Sequence, residues 1–311
     1  MKHRSPLRAW NAVVPTLGAA TLEGSLAALR AQDPPPRLIL VAQQPIDDAT
    51  RRLADTVIDL PAPIGFAAAV NRGLLEADAE FVALVNDDAQ VEAGWAGSLL
   101  ETLEQDGGLA AAQGLNRLTG GRIDGCGIAW NSDWQAIQIG HGQELVPEPA
   151  PREIFGASAT AALYRRDALS RCATDHGILD ERLESFYEDV DLAVRLRAAG
   201  FQASFVPGAQ ALHQGSLTTG KDPFRKWFLL TRNRRWVVAR LLGRDFAGVR
   251  AIVDRRDRRD SLGALARLDF ARVRGIREGR RAADARIAEF AHSGEPLVSR
   301  QVLTAFGAPT A

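Results

Sequence analysis

Three groups of side chains in this chain have types and spacing that could do chemistry. Asn86-Asp87-Asp88 directly follows the apolar run EFVALV. Two adjacent carboxylates at the end of such a run suit a hard divalent cation, Mg2+ or Mn2+, which takes oxygen ligands and can bridge diphosphate oxygens. The same residues would equally make an Asx turn at a strand end. Glu188, Asp189 and Asp191 crowd three carboxylates into four residues behind Phe186 and Tyr187. Any one of them is favoured in the first turn of a helix by the helix dipole. Three together repel one another, and a general base close to a nucleophilic hydroxyl would be a reason to keep them. His213, in Ala211-Leu212-His213-Gln214-Gly215-Ser216, becomes a metal ligand only if the fold carries it to Asp88; otherwise it is a hydrogen-bonded core or surface histidine.

The elements that must position these groups can be read from hydrophobic periodicity. NAVVPT at 11–16, RLILV at 37–41, TVIDL at 56–60 and EFVALV at 80–85 are continuous apolar runs, the pattern of strands covered on both faces. Between the first two, Leu22, Leu26 and Leu29 recur at helical spacing. This alternation predicts an α/β fold, a mostly parallel sheet sandwiched by helices, with ligands at the carboxyl ends of the strands. Residues 114–152 are rich in Gly and read as loops and hairpins. VDLAVRLRAAG at 190–200 is a helix with Leu192, Leu196 and Ala199 on one face and Gly200 as its stop. FQASFVPG then reads as a strand that Pro207 ends. Beyond about residue 220 the chain is Arg-rich and helical without strand signals, so the expected division is a ligand-binding domain at 1–220 and a basic helical extension at 221–311.

Composition narrows the class. The formal charge is zero, yet 20 Lys or Arg against 9 Asp or Glu lie between Lys221 and Phe290, a net of +11 that the rest of the chain balances. Two such halves are expected to face different partners. Cys126 and Cys172 are too few for a disulfide framework and have no C-x-x-C spacing, which fits a reducing cytosol. Lys2, Arg4 and Arg8 meet Pro6 and Asn11 without an apolar core between them, and no run is long enough to span a bilayer. A cytoplasmic protein is expected.

Taken in order, VVPT at 13–16, IGFAAAVNRG at 64–73, FVALVNDDA at 81–89, FGASATAALYRRDAL at 155–169 and LDERLESFYEDVDLAVRLRAAGFQASFVPGAQALHQGS at 179–216 resemble glycosyltransferase family 2. The likeness is greatest to its rhamnosyltransferase-like branch and covers about the first 216 residues. It implies the A-type nucleotide-sugar fold and an inverting transfer of a sugar from a nucleotide-sugar donor to a glycan or lipid-linked acceptor. By the same resemblance Asp189 is the catalytic base, Asp88 and His213 are metal ligands for Mg2+ or Mn2+, and Pro15, Thr16, Asn71, Arg72 and Asp87 contact the donor. The chain departs from the family at Val41-Ala42-Gln43-Gln44-Pro45, where an acid that often contacts the nucleobase is missing, and at Pro63 and Ala69.

Two other enzyme classes fit less well. A sugar-phosphate nucleotidyltransferase would need a basic, Gly-rich loop after the first strand, where this chain has Pro15-Thr16-Leu17-Gly18-Ala19-Ala20, and a dinucleotide oxidoreductase would need G-x-G-x-x-G there. A non-catalytic sugar-binding module on the same fold is a further alternative.

In the extension, Arg225 to Arg240 interleave with Trp227, Phe228 and Trp236. Either the aromatics pack this helix on the first domain and leave a solvated arginine face, or the helix lies on an anionic membrane surface on the inner face, with the stretch Arg255 to Arg281 adding attraction. Trp130, Trp134 and Tyr187 could stack on a sugar ring or serve as local packing anchors. No nucleic acid is expected as a partner.

Overall fold

The computed structural model describes residues 9–145, 150, 152–214 and 222–309. The apolar runs become β1 (Trp10–Thr16), β2 (Arg37–Ala42), β3 (Thr56–Asp59) and β4 (Phe81–Val85). Between them lie α1 (Leu22–Arg30), α2 (Asp48–Arg51) and α3 (Phe66–Leu75). The middle of the chain adds β5 (Ala89–Val91), α4 (Trp95–Gln105), β6 (Leu109–Leu118), β7 (Ile123–Gly125), β8 (Ile128–Trp130), β9 (Ala136–Gln138) and β10 (Arg152–Ile154). Then come β11 (Ala161–Arg165), α5 (Arg166–Arg171), α6 (Glu188–Ala198) and β12 (Gln202–His213). The extension holds α7 (Pro223–Leu242), α8 (Phe246–Ala266), α9 (Phe270–Arg286) and α10 (Arg300–Ala305).

The main sheet runs β10-β12-β6-β11-β4-β1-β2-β3. Parallel pairing joins β3 to β2, β2 to β1, β1 to β4 and β6 to β12, whereas β11 is antiparallel to both β4 and β6, and β10 to β12. Six of these eight strands therefore point one way, the mostly parallel sheet expected. Alternate residues of one strand serve two cores. Val82 and Leu84 pack with Val13, Ile39 and Val41 on one face, while Phe81, Ala83 and Val85 pack with Ala12, Val14, Leu38 and Leu40 on the other. That is why the strands read as unbroken apolar runs rather than as alternation.

Two sequence expectations change here. Residues 114–118 lie inside the central sheet as the end of β6, and only the stretch beyond Leu118 forms the short hairpins. The strand opened by Gln202 does not stop at Pro207. It shifts register between Val206 and Gln210 and resumes beside β6 as far as His213. Pro207 is tolerated because the shift removes its ladder bond. Gly114 permits the shift, since a Cβ there would meet the carbonyl oxygen of Ala209 at 2.0 Å. Of the segment read around His213, Gly215 and Ser216 lie outside the described residues, as does the expected boundary at 220–221.

The described part of the extension is built of helices, with an irregular stretch at 291–299 before α10, and it shares a core with the sheet domain. Trp130, Phe155, Leu183, Tyr187 and Val190 pack with Trp236, Val237, Leu241, Phe246 and Leu303 in one cluster. Nor does α7 show a solvated or lipid-facing arginine stripe over its second half, where Arg232, Arg234 and Arg235 are buried. Arg234 pairs with Asp257 at 2.5 Å, and Arg235 with Asp254 and Asp257 at 2.8 Å. Trp236 stacks on Phe290 with ring centroids 4.4 Å apart. The acids of α8 and α9 supply the partners that a count of charge along the chain hides, so from Arg232 onward the arginines of α7 form a buried ion-pair network and not an interfacial face.

Candidate active site

A cleft of about 910 Å3 opens at the carboxyl edge of the sheet. Its floor is supplied by Pro15 and Thr16 at the end of β1, Gln43 after β2, Asn86-Asp87-Asp88 after β4 and His213 at the end of β12. Ser158, Ala159 and Thr160 reach it because β11 runs antiparallel and starts where its neighbours finish. Glu188, Asp189 and Val190 enter from the start of α6, and Arg225, Lys226 and Leu229 from the start of α7.

Asp87 is held by a 2.6 Å hydrogen bond from the Thr16 hydroxyl, and its carbonyl accepts from Thr21 and Ser25. Burial raises its carboxyl above the usual range, opposed by the Thr16 hydroxyl and assisted by the charge of Asp88. His213 joins two acids: Nδ1 is 2.8 Å from Asp124 and Nε2 is 3.2 Å from Asp88. Burial alone would push this imidazole down, but its bonds to Asp124 and Asp88 outweigh that and bring it to about 9. The neighbouring Oδ1 of Asn86 is buried without a hydrogen-bond partner.

The three acids of α6 have separate fates. Asp191 is fully buried between Arg195 and Arg240, which makes it structural. Asp189 faces the cleft and accepts from the backbone N–H of Val190 at 2.8 Å and of Ala159 at 3.3 Å. Burial raises it above the usual carboxyl range in spite of those donors. Glu188 is raised further, by burial first and then by the charge of Asp189, and one of its carboxyl oxygens has no partner. The segment leading to them is strained: Glu184, Phe186 and Tyr187 all have positive φ, at 61°, 65° and 68°. Buried Asn233 of α7 clamps it, donating to the carbonyls of Leu183, Ser185 and Phe186 at 2.7, 2.9 and 2.8 Å. Arg232 binds Glu184 at 2.8 Å.

Pro15, Thr16, Asp87, Asp88, Asp189 and His213 are thus gathered in one cleft. Asn71 and Arg72 are not among its lining residues. The Asn71 amide is occupied in bonds to both backbone groups of Leu179 and to Glu181, tying α3 to the loop before α6, and Arg72 is exposed on α3. Trp130 and Trp134 are buried against each other, which leaves Tyr187 as the aromatic of that trio at the cleft. Asp124, Asn233 and Gln43 were not singled out as site residues by sequence. Asp124 sits in the Gly-rich segment without a motif, and Asn233 acts from the extension.

For a metal, Asp88 and His213 could each supply one ligand, and the unpartnered Oδ1 of Asn86 lies in the same cleft. Among the described residues no three His, Cys, Asp or Glu side chains form a ready cage. A carboxylate with an imidazole is a donor set that would suit a hard divalent cation.

A family model, Glycosyl transferase family 2, matches residues 11–172. The chain belongs to glycosyltransferase family 2. It is 30% identical over 236 residues to the N-acetylglucosaminyl-diphospho-decaprenol L-rhamnosyltransferase of Mycobacterium tuberculosis H37Rv, covering 65% of this chain and 74% of that protein. Membership makes the protein a glycosyltransferase, and solved structures show the A-type fold. GalNAc-T7, solved with UDP, GalNAc and Mn2+, superposes with a TM-score of 0.55 at 14% identity over 75% of this chain; the match spans only 51% of GalNAc-T7. The mannosyltransferase PcManGT from Pyrobaculum calidifontis, solved with GDP-Man and Mn2+, gives 0.53 at 17% identity, covering 96% of this chain and 79% of that one.

Proposed function

We propose that this glycosyltransferase moves a sugar, with inversion, from a nucleotide-sugar donor to a lipid-linked glycan acceptor at the inner face of a membrane. The observation that carries the reading is that Asp189, raised by burial and facing the cleft, shares that cleft with Asp87, Asp88 and His213. Pro15, Thr16, Gln43 and Asp87 form the donor side. Asn71 acts there only through the loop that it ties to α3, and Arg72 has no part in the proposed site. The likeness to a rhamnosyltransferase whose name gives a lipid diphosphate acceptor supports the acceptor class. Among the described residues no helix is long and apolar enough to cross a membrane.

In this mechanism the Asp189 carboxylate takes the proton of the acceptor hydroxyl as that oxygen forms its bond to the anomeric carbon. The bond from that carbon to the diphosphate oxygen breaks on the opposite face, and its electron pair leaves with the nucleotide. Mg2+ or Mn2+, held by Asp88 and His213, would neutralise charge on the departing diphosphate. Burial helps Asp189 accept a proton, and the donors from Ala159 and Val190 fix its orientation. No covalent intermediate with the protein is needed.

The test is nucleotide release from a panel of UDP-, dTDP- and GDP-sugars with a lipid diphosphate acceptor, with Mn2+ and with chelator. Acceptor-dependent, metal-stimulated release of one nucleotide is expected. Donor binding without release in the presence of any acceptor would instead mark a binding module.

A further inference from the structure

Four exposed large apolar side chains fall at one turn of the extension, between α8 and α9: Leu262 at 66% exposure, Leu265 at 48%, Leu268 at 72% and Phe270 at 63%. A single exposed leucine is ordinary, but four around one turn form a patch. The turn is built to project them. Leu268 is held at φ 56°, a conformation a leucine resists, by bonds from Asp269 N to Ala264 O at 2.9 Å and from Phe270 N to Leu268 O at 3.1 Å.

The charge around the patch has one sign. Arg258, Arg267 and Arg277 are exposed and have no ion pair among the described residues. The nearby acids are engaged: Asp260 with Arg256 at 2.8 Å, Glu278 with Arg274 at 2.9 Å, and Asp269 in the cap of α9. Apolar side chains ringed by free guanidinium groups complement an anionic lipid surface, whose head groups attract the charges while the interface takes up the side chains.

The place of this turn gives it a consequence for the cleft. Helix α9 lies along α7 in the same direction: a Cβ at Gly275 would meet the Phe224 carbonyl at 2.6 Å, and one at Gly279 the Phe228 carbonyl at 2.6 Å. Arg272 stacks 3.6 Å over Trp227 and Arg274 4.7 Å over Phe224. The turn therefore projects at the end of α7 that supplies Arg225 and Lys226 to the cleft. On the other side α8 reaches Asp133, between the two strands of the β8–β9 hairpin that also lines the cleft.

We infer that the α8–α9 turn seats the protein on an anionic bilayer and so turns the α7 side of the cleft to the membrane, with Lys226, and Arg225 beside its partner Glu184, on the side of the lipid phosphates. The docking stands on the patch itself; only the entry of a lipid diphosphate past Arg225 and Lys226 rests on the proposed function.

The full-length protein is tested by co-sedimentation with phosphatidylcholine vesicles with and without about one third phosphatidylglycerol, at low and high salt. Salt-sensitive binding to the anionic vesicles is expected, weakened about tenfold or more by Leu262→Ser/Leu268→Asn/Phe270→Ser, while transfer to a short-chain, water-soluble acceptor stays within about twofold. Arg258→Ser/Arg267→Ser/Arg277→Ser should remove most of the salt sensitivity. Absence of wild-type binding at low salt, or equal binding by the apolar triple variant, overturns the inference. So does a concentration-dependent dimer in light scattering that the apolar variant dissolves while vesicles bind neither protein, an outcome that assigns the patch to a second copy. If vesicles bind as expected but no donor releases nucleotide with the soluble acceptor, the docking stands and the proposed function fails.

Discussion

The Nε2 of His213 stands 3.2 Å from Oδ1 of Asp88, although one residue closes β12 and the other follows β4 two strands beyond its neighbour β6. Two features make the meeting possible. The register shift past Pro207 lets β12 run on to His213, and β5 pairs His213 with Ala89, next to Asp88. Asp124 then fixes the ring from its other nitrogen at 2.8 Å.

Because a carboxylate behind a histidine sets both its orientation and its basicity, Asp124→Asn should weaken metal-dependent donor binding by about 10- to 100-fold. His213→Ala should weaken it less than Asp88→Ala, which removes the carboxylate itself. Calorimetric titration of donor in Mn2+ and in chelator checks all three. Equal donor affinity of the unmutated protein in both conditions would remove the metal from the account.

Asn233 offers a test of the strained segment before Asp189. Its amide nitrogen serves three carbonyls at once, so Asn233→Leu leaves buried acceptors unpaired and frees Glu184, Phe186 and Tyr187 to relax. A loss of about 1–3 kcal/mol in stability is expected, with a fall in kcat larger than any rise in the donor KM. A variant that loses stability but keeps its kcat would show that the clamp serves folding alone.

Arg240 ties the extension to the sheet domain through Asp180 at 2.7 Å and through Asp191. Both acids are fully buried, and Arg240→Met leaves Asp180 with Arg182 alone and Asp191 with Arg195 alone, so the lost charge-assisted bonds should cost about 2–3 kcal/mol in denaturant unfolding. The same cluster sets an acid limb. Burial would raise Asp180, but its bonds to Arg182 and Arg240 outweigh that and hold it at about 2. Its folded value lies below its ordinary 3.8, so its contribution is present above that value and is lost as pH falls toward 2. In Arg240→Met the acid-induced loss between those values should be smaller than in the unmutated protein.

The four apolar runs, the helix read at 190–200 and found at Glu188–Ala198, and the cleft residues Asp87, Asp88, Asp189 and His213 were legible because each rests on local pattern or on a block of family resemblance. What was not legible depends on contacts distant in sequence. Nothing near Asp124 announces His213, and the arginines of α7 look like a solvated face until Asp254, Asp257 and Asp284 are folded onto them. Asn71 matches a motif position, yet its amide is spent on Leu179 and Glu181. The three acids of α6 could not be ranked by spacing, since Arg240, which claims Asp191, comes from another part of the chain.

The most direct test of the account is the turnover of Asp189→Asn, measured as acceptor-dependent nucleotide release alongside donor affinity. The substitution keeps the size of the side chain and removes its capacity to take a proton. The account predicts a fall in turnover on the order of 10²- to 10⁴-fold with donor affinity near that of the unmutated protein. Near-normal turnover would contradict it.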